Sequence, residues 1–353
     1  METCMAWIGS GVSLFVAFSF LSFLFRRIFL ERSYLPQAGK VVVVTGCDSG
    51  FGWDTAIRLV KGGSTVIAGC FLEKSLTALK EAVGPSLADQ IITLRLNLED
   101  DESTDAFVRD IRSYLDDHDL SLHAFVNNAG LFAAGPTEWM SRAHIRRLFQ
   151  VNTVGAMELT NRVAPLLAEG GRLVSISSVS AVVHGPLLAL YGASKAALDN
   201  FHSALRVETE RPFSVHLIMP GSFKTPLLNP TALRANITAG WNNAPESVRQ
   251  DFGSRYFETF TSNWTEGVVH YASNRPSWVT DNVLHAIFAA HPRARYYTGY
   301  DAIFLFSILS FAPTWIQDAF HRRVNRRFFQ SPEGEKVSMA CFEKPLASKP
   351  KAA

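Results

Sequence analysis

At 353 residues, 47% hydrophobic and 19% charged, the chain is long enough for one large α/β domain or two small ones. A formal net charge of +2 gives no case for nucleic acid, which wants a strongly basic face. The four cysteines, Cys4, Cys47, Cys70 and Cys341, have neither metal-ligand spacing nor the pattern of a disulfide framework, so no metal is expected and the thiols read as free.

The first predicted element is a membrane anchor over 1–27. Residues 4–25 carry no charge over 22 positions, and about 20 helical residues cross a bilayer. Glu2 is the only charged side chain before the run, and Arg26 and Arg27 follow it at once. Without a basic leading region or a small-residue cleavage site, an anchor is favoured over a cleaved signal. The arginines place the following domain on the cytosolic side. The expected location is the endoplasmic reticulum membrane, with a mitochondrial membrane as the alternative. Two sequons, Asn236-Ile-Thr and Asn263-Trp-Thr, are about what chance supplies and do not reverse this.

Beyond the anchor, apolar runs of strand length at 41–44, 64–68, 91–96, 123–126, 172–176 and 214–218 alternate with helix-period stretches at 54–61, 104–115, 142–167 and 191–208. Strand–helix alternation predicts a parallel sheet covered on both faces. The run "VVVV" fits a strand buried on both sides. It leads into "TGCDSGFG", where Gly46, Gly50 and Gly52 separate the strand from a helix. A strand, a three-glycine turn and a helix N-terminus form a mononucleotide-binding unit: a tight turn, backbone N–H groups open to a pyrophosphate, close strand–helix packing. Taken alone, such a cluster is equally a turn that binds nothing.

A second cluster changes the balance. Tyr191 and Lys195 stand at i and i+4, on one face of a helix. A free phenol has a pKa near ~10 and is a poor base at neutral pH, but an ammonium one turn away favours the phenolate. Ser178 can hold a substrate oxygen beside it, and Asn152 in "FQVNTVG" can hold a water linking the lysine to solvent.

With "NNAG" at 127–130 and Pro220-Gly221 before Thr225, the chain resembles the short-chain dehydrogenase/reductase family over roughly 40–300. Finer features ("AGC" at 68–70, "GPTEWMSR" at 135–142, "HPRARYYTGYD" at 291–301) resemble its membrane-associated retinol and hydroxysteroid dehydrogenases, with several shared by the mitochondrial 3-hydroxybutyrate dehydrogenases. The resemblance implies a Rossmann-type, doubly wound α/β domain over 38–300. It implies a catalytic set of Asn152, Ser178, Tyr191 and Lys195. It implies a cofactor cradle of Gly46, Asp48, Ser49, Gly50, Phe51, Gly52, Asn97, Asn128, Ala129, Gly130, Tyr191, Lys195, Pro220, Gly221 and Thr225. Two departures fall near the substrate: "IMPGSF" at 218–223 lacks the branch's usual Glu, and "SSVSAVVHGPL" lacks its Gly-Arg pair.

The end of the second strand, where many NAD-binding sheets place an acid, counts to Gly69. Asp48 is the next candidate to face the adenosine ribose, with a turn or cap role as its alternative. No Lys or Arg occurs between 41 and 56 to pair a 2′-phosphate, so NAD is the expected cofactor.

After Thr225 the alternation ends. The aromatic-rich stretch 226–285 is expected to form a substrate lid, 301–330 an apolar-then-basic interfacial helix, and 331–353 a polar tail. His184 reads as a loop residue without a catalytic part. The expected function is NAD(H)-dependent hydride transfer to or from a lipophilic alcohol or ketone, in contact with membrane lipid; a homodimer is left open. The alternatives are a mitochondrial hydroxy-acid dehydrogenase, an NADPH-dependent lipid carbonyl reductase, and a non-catalytic dinucleotide sensor on a membrane.

Overall fold

The computed structural model describes residues 25–328, with Phe18, Leu21 and Ser22 ahead of them. Most of the expected anchor and all of the expected tail lie outside those residues. Among the described residues, no helix is long and apolar enough to cross a membrane.

The sheet grows from Val41–Thr45 (β1), every residue of which is buried. Val42 and Val44 enter one apolar layer, Val41 and Val43 the other, as the two-residue period of a strand requires. Helix α1 (Gly50–Lys61) returns the chain to β2 (Thr65–Cys70), and α2 (Glu73–Val83) to β3 (Ile91–Arg95). Then come α3 (Asp101–Asp117), β4 (Leu122–Asn127), α4 (Arg142–Phe149), α5 (Gly155–Val163), β5 (Leu167–Ile176), α6 (Ala189–Glu208) and β6 (Phe213–Pro220). The seven strands run in the order β3-β2-β1-β4-β5-β6-β7, and every neighbouring pair is parallel. The order reverses between β1 and β4, and ligands of such sheets bind outside the carboxyl ends of the strands at that point.

Three features depart from the sequence reading. The helix expected over 142–167 is broken by a π-turn, Gln150–Val154, which carries Asn152 inward, and β5 already begins at Leu167. Such wide turns cluster at functional sites. The alternation does not stop at Thr225: β7 (Arg295–Thr298) extends the sheet. Its four residues alternate between half-buried and buried, too short and polar a pattern to stand out.

The aromatic stretch divides in two. Helices α7 (Pro230–Asn243), α8 (Glu246–Phe252) and α9 (Ser254–Tyr271) pack their rings around the buried Trp139 indole in a satellite core. Helix α10 (Ser277–Phe288) instead buries Val279, Val283, Ile287 and Phe288 against the main sheet. The satellite core therefore draws on 226–271, and α10 belongs to the main domain.

Behind the sheet, the segment after residue 30 is strapped down. Glu31 pairs with Arg293, the Leu35 N–H donates to the Phe288 carbonyl, and the Ala290 N–H to that of Ser33. Past β7, Tyr300, Phe304, Ile308, Phe311 and Trp315 are exposed, and the final described helix is α11 (Thr314–Phe328).

Candidate active site

The chain turns sharply at the end of β1. Gly46 has φ +68°, and a Cβ there would sit 2.7 Å from the Ala129 Cα. Thr45 fastens the turn to the next strand: its Oγ1 accepts from the Asn128 and Ala129 N–H groups, each at 3.0 Å, and the Asn128 amide donates to the Thr45 carbonyl at 2.8 Å. A Cβ on Gly52 would run into the Gly46 carbonyl oxygen. Gly50 (φ +61°) is different, because its nearest neighbour, Thr225 Cβ, lies 3.8 Å away. The turn is thus closed behind and open in front. Ser49 leaves the N-terminus of α1 without a side-chain cap, so its first-turn N–H groups are free to take an anion.

In front lies a cleft of about 410 Å³. Gly46, Asp48, Ser49, Gly50, Phe51, Asn97, Asn128, Ala129, Gly130, Ser178, Tyr191, Lys195, Pro220, Gly221 and Thr225 all line it. Of the residues read from the sequence, only Gly52 and Asn152 stand behind the wall rather than in it.

Asp48 lines the cleft, and both its oxygens already accept hydrogen bonds, from the Phe71 N–H at 2.8 Å and the Leu72 N–H at 2.7 Å. It fastens the end of β2 to the glycine turn while keeping negative charge at the cleft wall. Gly69 does not face the cleft: a Cβ there would meet Leu96 and Phe107 in the core. Phe71 and Leu72, two and three residues further on, form that wall. The Asn97 side chain accepts from the Glu99 N–H at 3.1 Å.

At the other end, Ser178 accepts from the Ser180 N–H at 3.1 Å and is hydrogen-bonded to Tyr191. Ser177 turns away, donating to Asp199 at 3.3 Å. Helix α6 presents Tyr191 and Lys195, both buried, and the Lys195 ammonium donates to the Ile176 carbonyl at 2.9 Å. Burial pushes the Tyr191 phenol up to about 12, against the lowering effect of the Ser178 hydrogen bond. Burial also brings Lys195 down to about 8. The expected lowering of the phenol by the lysine is therefore outweighed by desolvation among the protein's own groups.

The Asn152 amide is fully occupied. It accepts from the Leu131 N–H at 2.7 Å, and it donates to the Leu131 carbonyl at 2.9 Å and to Ser194 Oγ at 3.1 Å. Its side chain splints the loop after β4 to the turn of α6 next to Lys195.

Apolar side chains close the Tyr191 end: Phe132, Leu188, Leu227, Leu228, Trp264 and Val268. Phe132 meets Tyr191 edge-on at 4.9 Å and stacks on Trp264 at 6.1 Å. Among the described residues, the cations lining the cleft are Lys195 and Arg147, the latter paired with Glu99 at 3.0 Å. Lys224 is exposed and outside the lining. Sequence reading missed Thr45 and Phe132, although each adjoins a glycine motif. It could not find Leu227 or Leu228, which carry no local pattern.

The family profile described as "short chain dehydrogenase" matches residues 40–235. A 3beta-hydroxysteroid dehydrogenase (dhs-16) of Caenorhabditis elegans is 38% identical, the match covering 85% of this chain and 78% of the relative. Retinol dehydrogenase 7 of Rattus norvegicus is 33% identical over 83% and 91% of the two chains. The mitochondrial D-beta-hydroxybutyrate dehydrogenase of Rattus norvegicus is 34% identical over 76% and 80%.

Proposed function

Because the chain belongs to the short-chain dehydrogenase family, we propose that it is a membrane-attached, NAD(H)-dependent oxidoreductase acting on a lipophilic secondary or allylic alcohol, of hydroxysteroid or retinol type, or the matching carbonyl compound. The observation that carries the substrate class is the apolar wall beside Tyr191. A small carboxylate entering it would lose hydration, and Lys195, the cleft's cation without an acidic partner, would be engaged by the nicotinamide ribose; an unpaired buried charge is costly. An apolar alcohol gains about 25 cal/mol for each Å² buried.

The dinucleotide fits the residues present. The turn of Gly46, Gly50 and Gly52 with the uncapped start of α1 would take the pyrophosphate, Asp48 and Asn97 would face the adenosine end, and Lys195 the nicotinamide ribose. When bound, the nicotinamide ring gives or receives the hydride. Ser178 and Tyr191 would hold the substrate oxygen between their hydroxyls. In reduction the phenol gives that oxygen its proton; in oxidation the phenolate removes it. Phe132 and Trp264 shut water from this end. The uncharged run at 4–25 and the exposed rings from Tyr300 to Trp315 support attachment to a membrane, with the endoplasmic reticulum as the reading.

The test is a panel of hydroxysteroids, retinols and 3-hydroxybutyrate, each with NAD and with NADP. Micromolar KM for a lipophilic alcohol with NAD is the expected result. Efficient turnover of 3-hydroxybutyrate, lost in Lys224→Met, would replace the proposal by a hydroxy-acid dehydrogenase.

A further inference from the structure

The strip 220–223 lines the cleft where β6 ends. Ile218 on β6 is paired with Ile176 on β5, and the Ser177 N–H donates to the Ile218 carbonyl at 2.8 Å. The strip therefore lies beside Ser178 and beside the Ile176 carbonyl that holds the Lys195 ammonium. On the dehydrogenase reading above, this is the nicotinamide end of the cleft.

Asp301 stands directly behind that strip. Its Oδ2 accepts from the Ser222 N–H at 2.8 Å and its Oδ1 from the Ala302 N–H at 2.9 Å. A Cβ added to Gly221 would collide with both carboxylate oxygens. Glycine at 221 thus lets a negative charge come within one thickness of backbone of the cleft. The Gly221 N–H donates to the Thr298 carbonyl at 2.9 Å, which fixes the strip against β7.

The charge of Asp301 is answered by those two backbone dipoles, with no ion pair among the described residues. Asp199, behind the neighbouring Ser177, is different, because the Arg295 guanidinium spans both its oxygens at 3.0 and 2.7 Å. Asp48 and Glu99 line the adenosine end, and Glu99 is paired with Arg147. Lys224, in the same loop as the strip, is exposed. Lys195, buried at the reaction end, is a cation.

Oxidised and reduced nicotinamide differ by one positive charge on the ring. Lys195 disfavours the cationic, oxidised ring. A carboxylate without a counter-ion just behind the wall favours it, and such a charge acts over several ångströms where water is excluded. We propose that Asp301 selects the oxidation state of the bound dinucleotide, tightening the hold on the oxidised form without touching the ring. Its place in the chain fits no other role in the reaction, since the strip keeps its carboxylate out of the cleft lining.

The experiment measures Kd for NAD and for NADH on the full chain in lipid nanodiscs, at one pH and low ionic strength. Asp301→Asn and Asp301→Ser remove the charge and keep a side chain that can cap the Ala302 N–H. Each should raise the ratio of Kd for NAD to Kd for NADH at least threefold. Asp301→Glu keeps the charge and disturbs the fit, so it should weaken both forms alike and leave the ratio within threefold of wild type. A purely structural role would move both constants together in all three variants. A ratio that shifts by less than threefold in the neutral variants, or as far in Asp301→Glu as in Asp301→Asn, would overturn the proposal. A wild-type chain that binds neither form would sink the dehydrogenase reading as well, whereas binding of both with an unmoved ratio sinks this inference alone.

Discussion

Asn152→Ala separates a splint from a water relay. The substitution strands the Leu131 N–H and carbonyl, which Asn152 alone pairs from the side. Ser194 Oγ keeps its bond to the Tyr191 carbonyl at 2.7 Å. A buried polar group left unpaired costs about 1–3 kcal/mol. Leu131 is only partly buried, so two stranded groups should cost about 3 kcal/mol, or roughly 4 °C in Tm for a chain of this size. Tyr191 and Lys195 would shift with α6, and a displacement of about 1 Å near the chemistry costs on the order of a hundredfold in rate. Thermal unfolding, nicotinamide dinucleotide titration and kcat against pH should be measured on one preparation. Expected are a lower Tm, weaker dinucleotide binding and lower kcat together, with the pH profile unshifted. Asn152→Asp, which keeps the acceptor for the Leu131 N–H, should fall between. An alanine variant with wild-type Tm and a shifted pH profile would refute the splint and favour the water relay.

Tyr191→Phe should lower kcat by about 10²–10⁴-fold, as loss of a general acid–base group does, and leave dinucleotide Kd within threefold; Lys195→Ala should damage both, and a Phe variant with wild-type kcat would end the mechanism. Asp48→Ser frees the Phe71 and Leu72 N–H groups and removes the negative wall, so a preference for NAD over NADP of about tenfold or more should narrow, measured as the ratio of kcat/KM. Deleting 1–27 leaves Glu31, Ser33 and Leu35 on the domain. It should move much of the protein from the membrane pellet with Tm unchanged, and a fraction still bound would reflect the exposed rings at 300–315.

Legibility followed how local each feature is. The glycine turn, the Tyr191–Lys195 pair and six of the strands are written in short windows, where period and spacing carry the information. What escaped is written at a distance. The inward placement of Asn152 depends on a π-turn, which no residue pattern announces. Gly69 was counted as the end of β2, but the strand and its turn run on, and only the register with Leu94 on β3 shows which way each residue points. The aromatic stretch is alike in composition throughout, yet most of its rings fill a core around Trp139 and only Trp264 reaches the cleft. Composition does not say which face a helix turns to its neighbour.

The two ionisable groups at the reaction centre imply an asymmetry between directions. One cause acts on both: removal from water disfavours whichever form is charged. It raises Tyr191 to about 12 and lowers Lys195 to about 8. Near neutral pH the phenol is therefore protonated, already the form that gives a proton to a carbonyl oxygen. Oxidation needs the phenolate, and Lys195 alone does not offset the burial. The positive ring of an oxidised nicotinamide adds the missing charge, so oxidation draws on a phenolate whose population rises with pH. Lys195 is itself half deprotonated near pH 8, so its help fades as the pH rises through that value, where it is most needed. We expect kcat for alcohol oxidation to rise several-fold from pH 6.5 to 9 and then flatten, and kcat for carbonyl reduction to be level to about pH 8. Stopped-flow single turnovers in each direction would isolate the chemical step from product release. An oxidation rate constant flat from pH 6.5 to 9 would mean that the phenolate forms at neutral pH, and that burial does not govern Tyr191 in the working complex.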